Sequence, residues 1–171
     1  THFPAFLADN DVSSTAAAYA MGVIGLFNVI GAYAFGAAGD RFRKKNVLTL
    51  IYLLRAVLMT VLILMPINDV TAIVFGALLG LVWLATVPLT SGIVAQVFGT
   101  QHFSMLFGVV FMSHQIGGFV GAWLGGFIYD MTGSYDLMWA ISVALGLMAA
   151  ALHWPISDRP LARMTESNGA G

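Results

Sequence analysis

Five long apolar stretches, separated by short polar segments, follow one another along this chain of 171 residues. A helix rises 1.5 Å per residue, so about 20 apolar residues cross the ~30 Å hydrocarbon core of a membrane. The pattern predicts an all-α membrane protein with five complete transmembrane helices and a helix stub at its start, forming one bundle over residues 1–155. The predicted spans are residues 16–38, 46–65, 71–97, 103–128 and 137–154.

A shorter apolar stretch, residues 1–8, precedes these five spans. It is too short to cross a membrane and is expected to be the tail of a preceding helix. A polar loop follows it, and Ser13 or Ser14 is expected to cap the first complete span. The chain begins at Thr1 without the basic region of a signal peptide, so we expect a fragment that carries no signal peptide.

Composition supports a membrane protein and excludes several classes of function. Hydrophobic residues make up 59% of the chain and charged residues only 9%, against about 25% charged residues in a soluble domain. Without a cysteine, the chain can form neither a disulfide nor a thiolate metal site. The spans contain no carboxylate and no nucleophile with a neighbouring base. We therefore expect no enzymatic activity, no cofactor, no metal site and no nucleic-acid partner.

Basic residues concentrate in one short segment between the first two complete spans. Of the seven cations in the chain, four lie in residues 36–45, which we call the basic segment. Cations concentrate in loops that stay in the cytoplasm, so we expect this segment to be cytoplasmic. The polar tail, residues 156–171, then falls on the same side with Arg159 and Arg163. The aspartates at the other loops fall on the opposite side, namely Asp9, Asp11, Asp69, Asp130 and Asp136.

The basic segment also resembles a known family. It reads Gly36-Ala37-Ala38-Gly39-Asp40-Arg41-Phe42-Arg43-Lys44-Lys45. Glycines, an Asp-Arg pair and further cations between two spans resemble the loop signature of the major facilitator superfamily of secondary transporters. Ala38 and Arg43 stand where the usual signature has a leucine and a glycine. The resemblance implies the C-terminal six-helix half of such a transporter, from the end of its seventh helix through its twelfth.

Several expectations follow from that resemblance. Its partners would be the lipid bilayer, the missing N-terminal half, a small-molecule substrate and protons, with the substrate site shared between the halves near the midplane. The localisation would be the bacterial inner membrane. In the family, the aspartate matching Asp40 stabilises the outward-open state by pairing with an arginine and a helix N-terminus. Alternatively, Asp40 relieves repulsion among its neighbours. The implied gating loop contains Gly36, Gly39, Asp40, Arg41, Arg43, Lys44 and Lys45.

Three further stretches resemble the monocarboxylate and oxalate:formate porter branch. They are Gly25-Leu26-Phe27-Asn28-Val29-Ile30-Gly31, Tyr52-Leu53-Leu54-Arg55, and Phe107-Gly108 with His114-Gln115. This resemblance implies a secondary active transporter that moves a small organic anion with protons by alternating access. Animal-type porters carry an Asp and an Arg on the eighth helix, whereas the matching span here has Asn28 alone. The alternatives are a drug or metabolite exporter of the same superfamily and a non-transporting membrane partner protein.

Polar residues inside spans mark candidate functional positions, because polar groups are costly in hydrocarbon. Arg55 lies about 13 Å from the basic end of its span, calculated from the helical rise. It either binds backbone carbonyls or a residue of the missing half, or it binds an anionic substrate. Asn28 is either a contact between helices or part of a transport pathway, and Trp83 could line that pathway beside Pro88. His114 is either a hydrogen-bonding group or a titrating group, and Gln115 adjoins it.

Glycines recur at helical spacing on two spans, which is typical of closely packed membrane helices. At 100° per residue, His114 shares a face with the glycines of the fourth complete span, so we expect it to point into the bundle. The glycines either pack helices statically or let helices rock during transport. The positions are Gly76 and Gly80 on the third complete span, and Gly117, Gly118, Gly121 and Gly125 on the fourth.

Overall fold

A computed structural model describes residues 2–160, and Arg163 of the predicted tail lies outside the described residues. Within that range the chain is helical, with five helices or helix pairs long and apolar enough to cross a membrane. The prediction of an all-α membrane protein with five spans and a helix stub is confirmed. The helices are α1 (Phe3–Asp9), α2 (Ser14–Arg41), α3 (Lys44–Leu64), α4 (Asp69–Trp83), α5 (Thr86–Phe98), α6 (Phe103–Thr132) and α7 (Asp136–His153).

We call the side of the bundle that carries the loop aspartates the acidic end. The helices that start there are fixed by side-chain caps. Ser13 caps α2 by accepting a hydrogen bond from the backbone N–H of Ala16 at 3.2 Å. Asn68 caps α4, where its side chain accepts from the N–H groups of Val70 and Thr71, each at 3.0 Å. Asp69 accepts hydrogen bonds from the backbone N–H and the hydroxyl of Ser13, at 2.9 and 2.7 Å. These bonds hold the starts of α2 and α4 together.

The third predicted span is two helices rather than one. Residues Leu84–Ala85 separate α4 from α5, and we call them the helix break. Pro88 explains the interruption, because it has no N–H to donate to the carbonyl of Leu84, and its ring would clash with that carbonyl in a continuous helix. The Leu84 carbonyl accepts instead from the N–H of Val87 at 3.1 Å.

Buried side chains form two clusters in the bundle. One joins α1, α2 and α4 near the acidic end, around Leu7, Ala20 and Phe75. The other lies nearer the basic end and joins α3, the end of α4, the helix break and α5, around Leu48, Ile51, Val82, Ala85 and Leu89. This second cluster therefore contacts both parts of the interrupted span.

Glycines allow α2 and α4 to approach backbone to backbone. A Cβ atom at Gly76 would lie 2.9 Å from the carbonyl oxygen of Ala20, and one at Gly80 would lie 2.6 Å from that of Ile24. Gly31 lies directly against the backbone of Leu81, with no space for a side chain. Only glycine fits such contacts, which agrees with the small-residue packing seen between membrane helices.

The basic segment is mostly helical. Gly36, Gly39, Asp40 and Arg41 belong to the last turns of α2, and Lys44 and Lys45 begin α3, so the connection is Phe42 and Arg43 alone. The structure thus differs from the loop expected over these residues. The reason is that both helices extend beyond their apolar parts, since cations and aspartate are compatible with helix ends in water.

Candidate functional site

Three of the five polar positions predicted within spans meet at the helix break. Arg55, on α3, donates from Nε and Nη2 to the carbonyl oxygen of Val82 at 3.1 and 2.9 Å. Its Nη2 also donates to the carbonyl oxygen of Trp83. In a continuous helix those carbonyls would accept from residues 86 and 87. The guanidinium therefore replaces the donors that the break removes.

Asn28 reaches the same break from another helix, α2. The Oδ1 atom of Asn28 accepts a hydrogen bond from the backbone N–H of Leu84 at 3.2 Å, which links α2 to the helix break. The close α2–α4 packing at Gly31, one turn further along α2, brings Asn28 within reach. We call Arg55 and Asn28 together the brace, because they satisfy backbone groups of the break from α3 and from α2.

Hydrocarbon surroundings make the brace energetically important. A backbone polar group left without a partner in the membrane core costs several kcal/mol by the usual estimate of about 2–7 kcal/mol. Carbonyls at a helix C-terminus also carry partial negative charge, which favours a cation beside them. Arg55 suits this position because its planar fork can donate to two carbonyls at once.

Aromatic rings flank the charge of Arg55. Its Cζ atom lies 5.6 Å from the ring centroid of Tyr52 and 5.8 Å from that of Trp83. Distances below about 6 Å are favourable for a cation over a ring face. The carbonyls accept the hydrogen bonds of the guanidinium and the aromatic rings stabilise its positive charge, but neither kind of group carries a formal negative charge. Within residues 2–160, no carboxylate lies within ion-pair distance of Arg55, so the positive charge of the brace is not neutralised there.

His114 and Gln115 lie away from this site, in the central part of α6. Both side chains are exposed, as are all residues from 108 to 120. The structure differs here from the expectation that His114 points into the bundle, because the described residues place no neighbouring helix over that face. His114 contacts Phe111 of its own helix, with ring centroids 6.2 Å apart.

Most of the glycines of α6 also lie where no other part of the described chain packs against the helix. A Cβ atom at Gly117, Gly118 or Gly121 would meet nothing within 4 Å. At Gly125 a Cβ atom would lie 2.6 Å from the ring of His2, whose Nε2 is 2.8 Å from the carbonyl oxygen of Ala122. Close packing of α6 is thus seen at Gly125, against the residue that precedes α1, and not at the other three glycines.

A second polar cluster lies at the basic end and joins residues that the sequence did not connect. Arg43 donates from Nη2 to Asp158 Oδ1 at 2.6 Å and from Nε to Oδ2 at 3.2 Å. Gln96, at the end of α5, donates to the backbone carbonyl of Asp158 at 2.8 Å. Lys45 donates to the carbonyl of Trp154 at 3.0 Å. These bonds place residues 154–158 at the same end of the bundle as the basic segment.

Asp158 is the buried member of its ion pair. Its side chain is 7% exposed, whereas that of Arg43 is 57% exposed. The hydrogen bonds from Arg43 hold the pKa of the Asp158 carboxyl below its ordinary value. Sequence reasoning missed Asp158 and Gln96, because their partners lie far away along the chain. A useful signal was that Asp158 follows the last span at the side where the cations concentrate.

Asp40 differs from Asp158 in its surroundings. Its side chain is exposed, and it forms no ion pair or hydrogen bond with the residues from 2 to 160. Lys44, close to it, donates to the carbonyl of Gly39 at 3.1 Å. The contact expected between Asp40 and a helix N-terminus of the same half is therefore not formed in this structure.

Comparison with known proteins identifies the family. The profile described as Major Facilitator Superfamily matches residues 2–170. The chain therefore belongs to the major facilitator superfamily, whose members are transporters and not enzymes.

Three individual relatives show which members of the superfamily the chain resembles. The chain is 28% identical over 151 residues to an uncharacterized MFS-type transporter, YcxA, of Bacillus subtilis (strain 168), covering 85% of this chain and 37% of that protein. It is 31% identical over 127 residues to Monocarboxylate transporter 12 of Rattus norvegicus, covering 72% and 26%. It is 26% identical over 153 residues to Monocarboxylate transporter 13 of the same organism, covering 88% and 36%. No solved structure matches the chain significantly.

The chain thus spans between about a quarter and just over a third of the length of these relatives. The predicted membership of the superfamily is confirmed, and so is the resemblance to its monocarboxylate branch.

Proposed function

We propose that this chain is the C-terminal half of a secondary active transporter that moves a small, monocarboxylate-like anion together with protons by alternating access. The substrate site would be shared with an N-terminal half, near the midplane of the membrane. The basic end would face the cytoplasm of a bacterial cell, as cations near span ends favour.

The observation that supports an anionic substrate is the charge of the brace. Arg55 is the one charged residue in the sequence that lies far from a span end. An uncompensated cation at membrane depth raises the electrostatic potential around it, because the low dielectric constant of the interior screens it weakly. That potential attracts a carboxylate and repels a lipophilic cation. The two relatives named as monocarboxylate transporters support the same substrate class.

Uptake in proteoliposomes tests this proposal. The full-length protein should accumulate radiolabelled lactate, pyruvate or formate when the external buffer is more acidic than the interior. A protonophore should abolish the accumulation if protons drive it, and protein-free liposomes provide the control. Accumulation of none of these anions, together with extrusion of a lipophilic cationic dye, would instead support the drug-export alternative.

His114 is the proposed proton-coupling group, because imidazole can take up and release a proton and His114 lies in the central part of a span. Replacing His114 with glutamine should keep the polarity of the side chain but flatten the dependence of lactate uptake on external pH. His102→Gln, at the start of the same helix α6, is the matched control and should keep the normal profile. If the His114→Gln profile also stays unchanged, His114 takes no part in proton coupling.

A further inference from the structure

The last residues before the end of the described chain turn back across the basic end of the bundle. Helix α7 ends at His153, and Pro155 prevents its continuation. Residues 154–158 then contact α3 at Lys45, the α2–α3 connection at Arg43, and α5 at Gln96. Both carboxylate oxygens and the backbone carbonyl of Asp158 accept hydrogen bonds. This segment therefore joins three parts of the bundle that are distant along the chain.

Helix α5 is one of the less buried helices in this arrangement. It buries two residues, Leu89 and Val94, whereas α3 and α4 each bury six and α6 and α7 bury two and one. At its start, the helix break separates α5 from α4, so no continuous ladder of hydrogen bonds connects them. At its end, the bond from Gln96 to Asp158 attaches it to the C-terminal segment at 2.8 Å. A short helix with two buried residues and a break at one end depends strongly on such an attachment.

The basic segment adds a further contact to α5 through the aliphatic part of the Lys44 side chain. A Cβ atom at Gly92, on α5, would lie 2.7 Å from Cε of Lys44, so the absence of a side chain at Gly92 lets Lys44 lie across α5. Arg43 and Lys45 thus contact the segment 154–158 at Asp158 and Trp154, and Lys44 contacts α5. The basic segment is where these separate parts are held together.

We propose that residues 154–158 form a C-terminal strap that holds the end of α5 in one state of the transport cycle and must release α5 for the cycle to proceed. This inference rests on the proposed transport function. A contact made in one state and broken in the other shifts the balance between the two by its full free energy. Breaking the strap separates Gln96 from Asp158 and leaves the backbone carbonyl of Asp158 without its donor.

The strap is not expected to be the proton switch. The pKa of Asp158 is held below its ordinary value by the hydrogen bonds from Arg43, with a further contribution from the charge of Lys45. A depressed carboxyl pKa means that the ion pair persists above the ordinary value of about 4 and is lost as the pH falls through the lower value. The strap contacts should therefore remain intact between about pH 5 and 8, where imidazole titrates.

Reversible cross-linking tests the strap directly, since the chain has no native cysteine. In the full-length protein, Val97→Cys and Ser157→Cys place thiols next to Gln96 and Asp158, so the bonds of Asp158 to Gln96 and Arg43 both stay intact. A short bifunctional methanethiosulfonate should join them and lower lactate uptake about tenfold or more, because one state becomes inaccessible. A reducing agent should restore the uptake in the same sample. Failure of the two thiols to join would contradict the contact, and a joined pair with full uptake would contradict its release.

A matched pair across two helices that are packed along their length provides the control. A Cβ atom at Gly146, on α7, would lie 3.4 Å from Cβ of Ala56, on α3, which is close to the separation found in disulfides. Cross-linked Ala56→Cys/Gly146→Cys protein should keep its uptake, because α3 and α7 are expected to move together. Loss of uptake in the control as well would show that any constraint stops transport, which would overturn the specific role of the strap.

A distance measurement separates failure of the strap from failure of the proposed substrate class. Spin labels at Thr100→Cys and Ser157→Cys report the separation of the end of α5 from the strap without any need for substrate. Two distance populations in liposomes support release, even in a protein that takes up none of the anions tested. A single short distance at every pH and with every anion would overturn the strap, even in a protein that transports lactate.

Discussion

Replacing Arg55 with methionine is expected to lower the free energy of unfolding by about 2–6 kcal/mol, since it leaves two carbonyls without donors at roughly 1–3 kcal/mol each. The methionine side chain fills a similar volume, so the change isolates the lost hydrogen bonds to Val82 and Trp83. Removing the charge also relieves its desolvation, which opposes the loss. The carbonyls should dominate, because hydrocarbon offers them no alternative partner.

Arg55→Lys distinguishes the hydrogen-bond geometry from the charge. A lysine ammonium keeps the charge but lacks the planar fork that reaches two carbonyls together. We expect thermal stability in detergent to fall in the order arginine, lysine, methionine at residue 55. Arg41→Met is the control, because Arg41 is exposed and forms no bond with the residues from 2 to 160. If Arg55→Lys and Arg55→Met are as stable as the control but bind lactate more weakly, Arg55 is an anion ligand and not a brace.

The position of Arg55 was predictable from sequence, but its partners were not. Hydrophobic length fixes which helix carries Arg55 and how deep it lies, because the membrane core has a nearly constant thickness. Its partners are backbone carbonyls 27 and 28 residues away, and these are free because Pro88 interrupts the helix. The sequence showed Pro88 but not where the resulting break would open. Backbone carbonyls also carry no sequence signature of their own.

Helix α6 shows the limit of periodicity as a guide to packing. The spacing of His114, Gly118, Gly121 and Gly125 correctly indicates one helix face, since the angle per residue is fixed. It does not indicate what covers the face, which depends on the position of other helices. The described residues cover it at Gly125 and leave His114 exposed. Likewise, no local pattern could pair Arg43 with Asp158, which lies 115 residues away.

Gly31→Ala should destabilise the protein by about 1–3 kcal/mol relative to Gly25→Ala, the usual cost of inserting atoms into a closely packed contact. The two glycines lie on the same helix, α2, and both substitutions gain the same helix propensity of up to about 1 kcal/mol. That gain cancels in the comparison. A Cβ atom at Gly25 meets nothing within 4 Å, whereas one at Gly31 would lie 2.8 Å from the Cα atom of Leu81 and closer still to its carbonyl.

The collision at Gly31 should also reach the helix break. Because the obstructing atoms belong to the backbone of α4, that helix must move away from α2, and Asn28 then loses its bond to the N–H of Leu84. Gly31→Ala should therefore reduce both thermal stability and lactate uptake, while Gly25→Ala leaves uptake unchanged and raises stability slightly.

Adding Asn28→Ala to each variant provides the decisive measurement. If α4 has moved, Asn28→Ala should cost less stability in the Gly31→Ala protein than in the Gly25→Ala protein, because neighbouring sites are not additive. Equal costs in the two backgrounds would show that the α2–α4 contact does not position the brace.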